Sequence, residues 1–113
     1  MGRFQLVVIS RPKDGQDAEY NDWYTNRHLA DVVALPGFSS AQRFRRVAKV
    51  SGDVGMDHLA IYEIDADSAE DALASLNAAS GDPEKMPISD ALDLDAVVAA
   101  VYEVHSPVVT AQA

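Results

Sequence analysis

Four stretches of the chain carry the apolar patterns of β-strands. Residues 4–10 and 97–104 are apolar on both alternating faces, which is typical of strands that are covered on both sides. Residues 38–50 alternate imperfectly but contain no strand breaker, so they predict a long strand with a bulge. Residues 58–64 predict a further strand, reached through a glycine-rich hairpin loop.

Two segments with helical periodicity lie between these strands. The first covers residues 18–35, with Asp17 as a candidate N-cap and with Pro36 and Gly37 as the stop signal. The second follows Ser68 and Asp71, which have the spacing of a capping box, and ends at Gly81. The segment at residues 82–95 is rich in acidic residues and contains two prolines. It predicts a long loop or lid, with one helical turn near residues 89–94.

The order strand, helix, strand, strand, helix, strand predicts an α+β protein with the ferredoxin-like βαββαβ arrangement. In this arrangement two helices cover one face of a four-stranded antiparallel sheet. The two-sided apolar strands require a cover for the other face as well, and a single chain of this length has no element left to supply it. We therefore expect a homodimer in which the two sheets face each other.

Composition and charge narrow the class of protein further. The 113 residues fit one domain, predicted as residues 1–106 with a C-terminal tail at 107–113. The net charge of -9 disfavours nucleic acid and membrane partners, and the absence of cysteine removes thiol chemistry.

The apolar run at residues 96–102 is far shorter than the ~20 residues that span a bilayer, and the N-terminal run is too short for a signal peptide. We expect a cytoplasmic protein.

The charge is distributed unevenly between the two halves of the chain. Residues 1–50 hold 8 basic and 5 acidic side chains, whereas residues 51–113 hold 1 basic and 13 acidic side chains. The basic cluster at residues 43–49 is compatible with a solvated strand edge or with a face that binds an anion.

The first helix carries the residues best suited to chemistry. With ~100° per residue, His28 falls inside the apolar arc between Tyr24 and Val32 and is expected to point inward. Asp31 could reach the His28 ring or pair with Arg27. An inward histidine beside a carboxylate can move a proton near neutral pH, and a core histidine that hydrogen-bonds to a backbone carbonyl is the alternative interpretation.

One part of the sequence resembles a known family. Residues 20–32, then Leu35-Pro36-Gly37-Phe38 and Ala41-Gln42-Arg43-Phe44, are similar to the EthD-like family of dimeric α+β barrels, through the pattern W-Y-x-x-x-H…P-G-F. The resemblance covers roughly residues 20–46. It implies a dimeric α+β barrel. It also implies one of two kinds of function: a cofactor-free cyclase, decarboxylase or isomerase of aromatic or polyketide compounds, or an accessory protein of a degradation pathway.

The main functional hypothesis is a cofactor-free lyase or isomerase that acts on a small aromatic or polyketide-like acid. We predict His28, Asp31 and Tyr24 as catalytic residues, with Tyr24 and Tyr62 donating hydrogen bonds to a developing oxyanion. The predicted substrate-binding residues are Trp23, Arg27, Arg43 and Tyr62, with Arg43 pairing a carboxylate.

Two alternatives stay open, namely a small-molecule-binding accessory protein of a degradation or biosynthesis pathway and a small oxygenase of the dimeric barrel type. No cofactor and no metal site are expected, because His58 and His105 are interpreted as exposed histidines at strand ends.

Overall fold

A computed structural model describes residues 2–112. The first residue of the predicted domain, Met1, and the last residue of the predicted tail, Ala113, lie outside the described residues. The regular elements, in chain order, are β1 (Gly2–Ser10), α1 (Asp17–Trp23), a π-helical turn (Tyr24–His28), α2 (Leu29–Val33), β2 (Phe38–Arg45), β3 (His58–Ala66), α3 (Ala69–Ser80), a 3-10 turn (Leu94–Ala96) and β4 (Val98–Glu103). Within residues 2–112, no helix is long and apolar enough to cross a membrane.

The four strands form one sheet in the order β2-β3-β1-β4, and every neighbouring pair is antiparallel. Helices α1 and α3 contribute to the same core as the strands, on one face of the sheet. The predicted α+β, ferredoxin-like fold is therefore confirmed.

Alternation along the central strands separates a buried face from an open face. Phe4 and Leu6 of β1 and Tyr62 and Ile64 of β3 are buried on the helix side. The side chains between them along each strand point to the other face of the sheet, called the open face below. Val7 and Ile61 pair with each other on this face and are only partly buried. On the neighbouring β4, Val98 and Tyr102 share this open face and are more than half exposed. Residues 2–112 of a single chain thus leave an apolar sheet face without a cover.

The first helix differs from its prediction in one respect that matters for the site. Instead of one α-helix over residues 18–35, a π-helical turn interrupts the helix at Tyr24–His28. A π-helical turn holds more residues than an α-helical turn. The directions of the side chains after Trp23 around the helix axis therefore differ from those given by a uniform ~100° step per residue. The helix begins at Asp17 and follows Gln16, so Asp17 is not the N-cap residue.

A glycine allows the tight reversal after this helix. Gly37 has φ +88°, and a Cβ there would lie 3.1 Å from the backbone oxygen of Asp65. Only glycine adopts this conformation at little cost, which explains the Pro-Gly stop signal.

Strand β2 is shorter than predicted. It ends at Arg45 rather than at residue 50, and the predicted bulge is the register shift between Phe38 and Ser40. Residues 46–57 follow as a loop, within which Arg46 binds Asp53 at 2.6 Å and Asp57 at 2.7 Å.

The predicted N-cap of helix α3 is confirmed, because the amide of Asp71 donates to Ser68 Oγ over 3.2 Å. Gly81 follows the helix as its C-cap residue, with a right-handed φ of -88°. The helical turn expected near residues 89–94 lies instead at Leu94–Ala96.

The acidic segment after α3 is packed against the core. Met86, Ala91 and Leu92 are buried, and the amide of Lys13 donates to the Ala91 oxygen over 2.7 Å. The segment is a long irregular loop, as predicted, and its few apolar side chains pack against the core beside the first helix.

Candidate functional site

The candidate site lies where the first helix crosses the ends of β1, β2 and β3. Its innermost pair is Tyr20 and Ser10, whose hydroxyl oxygens lie 2.6 Å apart. Both side chains are almost fully buried, with exposures of 0% and 1%. Burial raises the pKa of Tyr20 by more than the hydrogen bond to Ser10 lowers it, so this hydroxyl stays protonated.

A second pair of buried hydroxyls lies under the same helix. Tyr62 of β3 donates to the hydroxyl of Tyr24, in the π-helical turn, over 3.3 Å. Burial raises the pKa of both tyrosines. Tyr20 and Tyr24 also meet edge to face, with 5.5 Å between ring centroids, so the three tyrosines are joined by one ring contact and one hydroxyl hydrogen bond.

Arg43 on β2 is held beside this cluster by neutral groups. Its guanidinium donates to Thr25 Oγ1 over 2.8 Å and to Asn21 Oδ1 over 2.9 Å. It also lies 4.7 Å from the centre of the Tyr24 ring and 5.4 Å from that of Tyr20. Among residues 2–112, Arg43 forms no ion pair with a carboxylate, whereas each of the arginines at positions 11, 27 and 46 pairs with an aspartate.

Sequence reasoning missed His58 as a site residue. Its Nδ1 lies 3.2 Å from Nη2 of Arg43, and its ring packs 5.0 Å from that of Tyr20. A guanidinium can only donate, so Nδ1 accepts and the ring proton of His58 lies on Nε2. Burial, followed by the charge of Arg43, lowers the pKa of His58 and keeps the ring neutral. The pairing of His58 with Ser10 across β1 and β3 brings it here, and only the strand register shows this pairing.

His28 points inward, as its position in the apolar arc suggests. It stacks on Trp23, with ring centroids 4.6 Å apart, and meets the Tyr24 ring edge to face at 5.1 Å. Burial lowers the pKa of His28 to about 4, against a smaller opposing effect of Asp31. Its buried Nδ1 has no hydrogen-bond partner among the described residues, so the alternative interpretation, in which a backbone carbonyl bonds to the ring, does not hold for this atom.

The other predicted site residues face the acidic segment. Asp31 accepts from Nε of Arg27 over 2.8 Å, which is the second of its two predicted partners. Arg27 also donates to the Glu84 oxygen, and Trp23 Nε1 donates to the Pro87 oxygen over 2.9 Å. These contacts tie the first helix to residues 82–95. The structure therefore brings Tyr24, Tyr62 and Arg43 together, whereas it places Arg27 and Asp31 apart from that cluster.

Two cavities open beside His58, and of these two only the polar one is lined by Arg43. A polar one of about 340 Å³ is lined by Asn21, Arg43, Phe44, Arg45 and His58. A larger one of about 370 Å³ is lined mainly by apolar residues, among them Ile9, Phe44, Val54, Met56, Leu59 and Ile61. Within residues 2–112, no group of three or more His, Cys, Asp or Glu side chains could hold a metal ion.

Sequence comparison with known proteins gives one short match. No family model matches the chain. A stretch of 44 residues is 43% identical to core atranone cluster protein 1 of the fungus Stachybotrys chlorohalonatus. This match covers 37% of the chain and 19% of that protein, so the chain spans about a fifth of the curated relative's length.

Three solved structures share the fold over nearly the whole chain. A protein of Arabidopsis thaliana has a TM-score of 0.72 at 18% identity, covering 94% of this chain and 99% of its own. An ethyl tert-butyl ether D (EthD) family protein of Bacillus halodurans has a TM-score of 0.59 at 17% identity, with coverages of 93% and 100%. A dimeric ferredoxin-like protein of unknown function from Thermobifida fusca has a TM-score of 0.58 at 12% identity, with coverages of 91% and 92%. The chain thus has a ferredoxin-like fold of the EthD type, and identities this low show the fold alone.

Proposed function

We propose that this protein is a cofactor-free lyase or isomerase, of the decarboxylase or cyclase type, that acts on a small aromatic or polyketide-like acid. One observation carries the proposal. The partly buried guanidinium of Arg43, with no carboxylate partner among residues 2–112, lines a cavity beside three tyrosines.

An acid is the ligand that suits this arrangement. A partly desolvated guanidinium gains most from an anion, because charge-assisted hydrogen bonds are about twice as strong as neutral ones. The Tyr20 and Tyr24 faces hold the cation by its attraction to the rings, and the contacts to Asn21 and Thr25 fix its orientation. Because both Nη groups already donate to Asn21, Thr25 and His58, the Nε–H and the positive charge of Arg43 are what a carboxylate or an enolate would meet.

The proton transfer is assigned to His28 and the tyrosine pair. At neutral pH the His28 ring is neutral, because burial lowers its pKa to about 4, and its buried Nδ1 is free to accept a proton. In the proposed step, His28 removes a proton from the carbon next to a carbonyl, and the electron pair moves onto the carbonyl oxygen. The hydroxyl of Tyr24, kept protonated by burial, donates to this oxyanion, and Tyr62 supports it by donating to the Tyr24 oxygen.

The enolate so formed has several outcomes. Protonated His28 returns the proton to another carbon in an isomerisation. In a cyclisation the enolate carbon attacks a second carbonyl, whose π bond opens to an alkoxide, and this alkoxide takes the proton from His28. Decarboxylation reaches an equivalent enolate when the bond to the carboxylate breaks and carbon dioxide leaves, and the enolate carbon then takes a proton from water. An anion bound nearby raises the pKa of His28 and so makes it a stronger base.

Solvent exchange tests this function without knowledge of the natural substrate. In D2O, the wild-type protein is expected to catalyse deuterium exchange next to the carbonyl of enolisable 3-oxo acids, measured by proton NMR. His28→Phe keeps a ring of similar shape but cannot accept a proton, so exchange is expected to fall to the uncatalysed rate. His105→Phe, at an exposed position, is the matched control. Equal exchange by wild type and His28→Phe would overturn the role of His28.

A non-catalytic accessory protein is the second candidate. One observation favours it, since the residues that line the polar cavity include Arg43 and His58 but not His28. Saturable binding of an acid that undergoes neither exchange nor decarboxylation would select this function.

We also propose that the protein is a homodimer whose open sheet faces meet. The support is the apolar open face, where Val98 and Tyr102 are more than half exposed, since monomers rarely expose large contiguous apolar patches.

A further inference from the structure

The irregular segment that follows α3 lies beside the first helix and is fastened there by a small number of contacts. Residues 82–93, called the strap below, contain no helix or strand. The end of the strap forms an isolated bridge to the chain before α1, in which the amide of Lys13 donates to the Ala91 oxygen over 2.7 Å. Segments with few regular hydrogen bonds open locally at a lower free energy than strands do. The strap is therefore expected to detach more readily than the sheet.

The middle of the strap holds the side chain of Trp23. The Pro87 oxygen accepts from Trp23 Nε1 over 2.9 Å, and the neighbouring Met86 is buried in the core. Four residues after Trp23, Arg27 donates to the Glu84 oxygen over 3.3 Å. The strap thus fixes the exposed side of the first helix around Trp23.

Two aromatic rings cover His28, and they differ in how firmly they are held. Tyr24 is only 3% exposed, and its hydroxyl accepts from Tyr62, so the core fixes this ring. Trp23 stacks on His28 at 4.6 Å but is only partly buried, and its one polar atom is bound by the strap. Trp23 is therefore the ring that release of the strap would free.

The position of the proposed base gives this movement a purpose. Nδ1 of His28 is buried and has no hydrogen-bond partner among the described residues. His28 lines neither of the two cavities beside His58. A substrate therefore reaches this nitrogen only when a covering group moves away.

We infer that the strap is a gate for the proposed base: it holds Trp23 over His28 when closed, and its release frees Trp23 and uncovers Nδ1. The inference rests on the proposed function for the role of His28, and it adds the regulation of access to that residue.

Hydrogen exchange measured by NMR reports release of the strap. The chain has one tryptophan, so its indole N–H gives a single signal, and this proton is donated to the strap. We expect it to exchange through the same opening as the amide proton of Lys13, which is also donated to the strap, and more readily than the amides of β1 and β3. Exchange of the indole proton only by global unfolding would overturn the gate.

The pH dependence of this exchange links the gate to His28. Burial lowers the pKa of His28 to about 4 while the strap is closed, and a ring exposed by release regains the ordinary value of 6.5. Release therefore takes up a proton in this range, and its equilibrium constant is expected to rise about twentyfold from pH 7 to pH 5.

Other charged groups near His28 are controlled by one variant. Asp31 acts on the ring and is paired with Arg27, and the strap itself carries four carboxylates and one lysine. His28→Phe keeps all of these groups and removes only the histidine, so the rise in strap release towards pH 5 should disappear. An equal rise in wild type and His28→Phe would overturn the link to His28.

Met86 and Leu94 offer a matched pair of variants. Met86 is 3% exposed and leaves the core when the strap is released, whereas Leu94, one residue beyond the strap, is 69% exposed. Met86→Ala is expected to raise the opening equilibrium seen at the indole proton more than about tenfold, with Leu94→Ala equal to wild type. Equal opening in wild type and Met86→Ala would show that the strap does not detach as one unit.

The outcomes separate the gate from the proposed function. Release that does not depend on pH, together with loss of deuterium exchange of 3-oxo acids in His28→Phe, would overturn the gate and leave the base standing. Release that follows the expected pH dependence, with equal exchange of these acids by wild type and His28→Phe, would support the movement of the strap and contradict the enzyme.

Discussion

The guanidinium of Arg43 lies 4.7 Å from the centre of the Tyr24 ring. The same ring meets His28 edge to face at 5.1 Å. Tyr24 therefore contacts both the proposed anion anchor and the proposed base. The π-helical turn that begins at Tyr24 also supplies Thr25 to Arg43 and carries His28, so one local departure from the α-helix arranges three parts of the candidate site.

The first prediction concerns stability against pH. The pKa of His28 is about 4 in the folded chain and about 6.5 when unfolded, so the unfolded chain binds more protons between these values. The contribution of neutral His28 is complete above pH 6.5 and is lost as the pH falls towards 4. The loss amounts to about 3 kcal/mol of unfolding free energy.

Urea denaturation between pH 4 and 7 measures this effect. His28→Phe is expected to have a flatter pH profile than wild type, and the difference between the two profiles isolates this residue from the carboxylates. His105→Phe should retain the wild-type profile. Parallel profiles for wild type and His28→Phe would show that His28 does not titrate as described.

The second prediction concerns the buried hydroxyl pair. Tyr20→Phe leaves Ser10 Oγ without its partner in a site that is 1% exposed, and this is expected to cost about 1–3 kcal/mol of unfolding free energy. Ser10→Ala strands the Tyr20 hydroxyl in the same way. The double variant removes both polar groups and should cost clearly less than the sum of the single changes. Strict additivity in urea denaturation would contradict the hydrogen bond.

The third prediction concerns the open sheet face. Val98→Asp places a charge on this face at a position that is 53% exposed in the single chain, so a monomer should tolerate it. A dimer with facing sheets buries the same position, and sedimentation velocity should show dissociation. Val47→Asp, on the exposed loop, should leave the oligomeric state unchanged. A wild-type monomer at micromolar concentration would refute the dimer.

Much of the fold follows from local patterns. The two-sided apolar strands, the Ser68 cap and the Pro-Gly stop each depend on a few neighbouring residues, and the sheet order then follows from the element order. The π-helical turn does not follow in this way, because its residues have no distinctive signature and the uniform helical step hides the change of phase. For this reason the sequence allows Asp31 two partners, the His28 ring and Arg27, and only the structure shows that Asp31 pairs with Arg27.

The candidate site is predictable only in part, for a related reason. Tyr24, His28 and Arg43 could be chosen because they lie near one motif or in a basic cluster. His58 could not, since it lies fifteen residues beyond Arg43 and reaches it only through the register of β2 and β3. An antiparallel register of this kind is fixed by the whole sheet rather than by residues next to His58.

The central claim is that Arg43 binds the carboxylate of the ligand. Calorimetric titration of benzoate into wild type, Arg43→Gln and Arg11→Gln tests it most directly, because Arg11 is an exposed arginine that pairs with Asp93 outside the site. A charge-assisted pair contributes about 1.5–3 kcal/mol, so Arg43→Gln is expected to weaken binding roughly ten- to a hundredfold, with Arg11→Gln equal to wild type. Equal affinity of wild type and Arg43→Gln would contradict the claim.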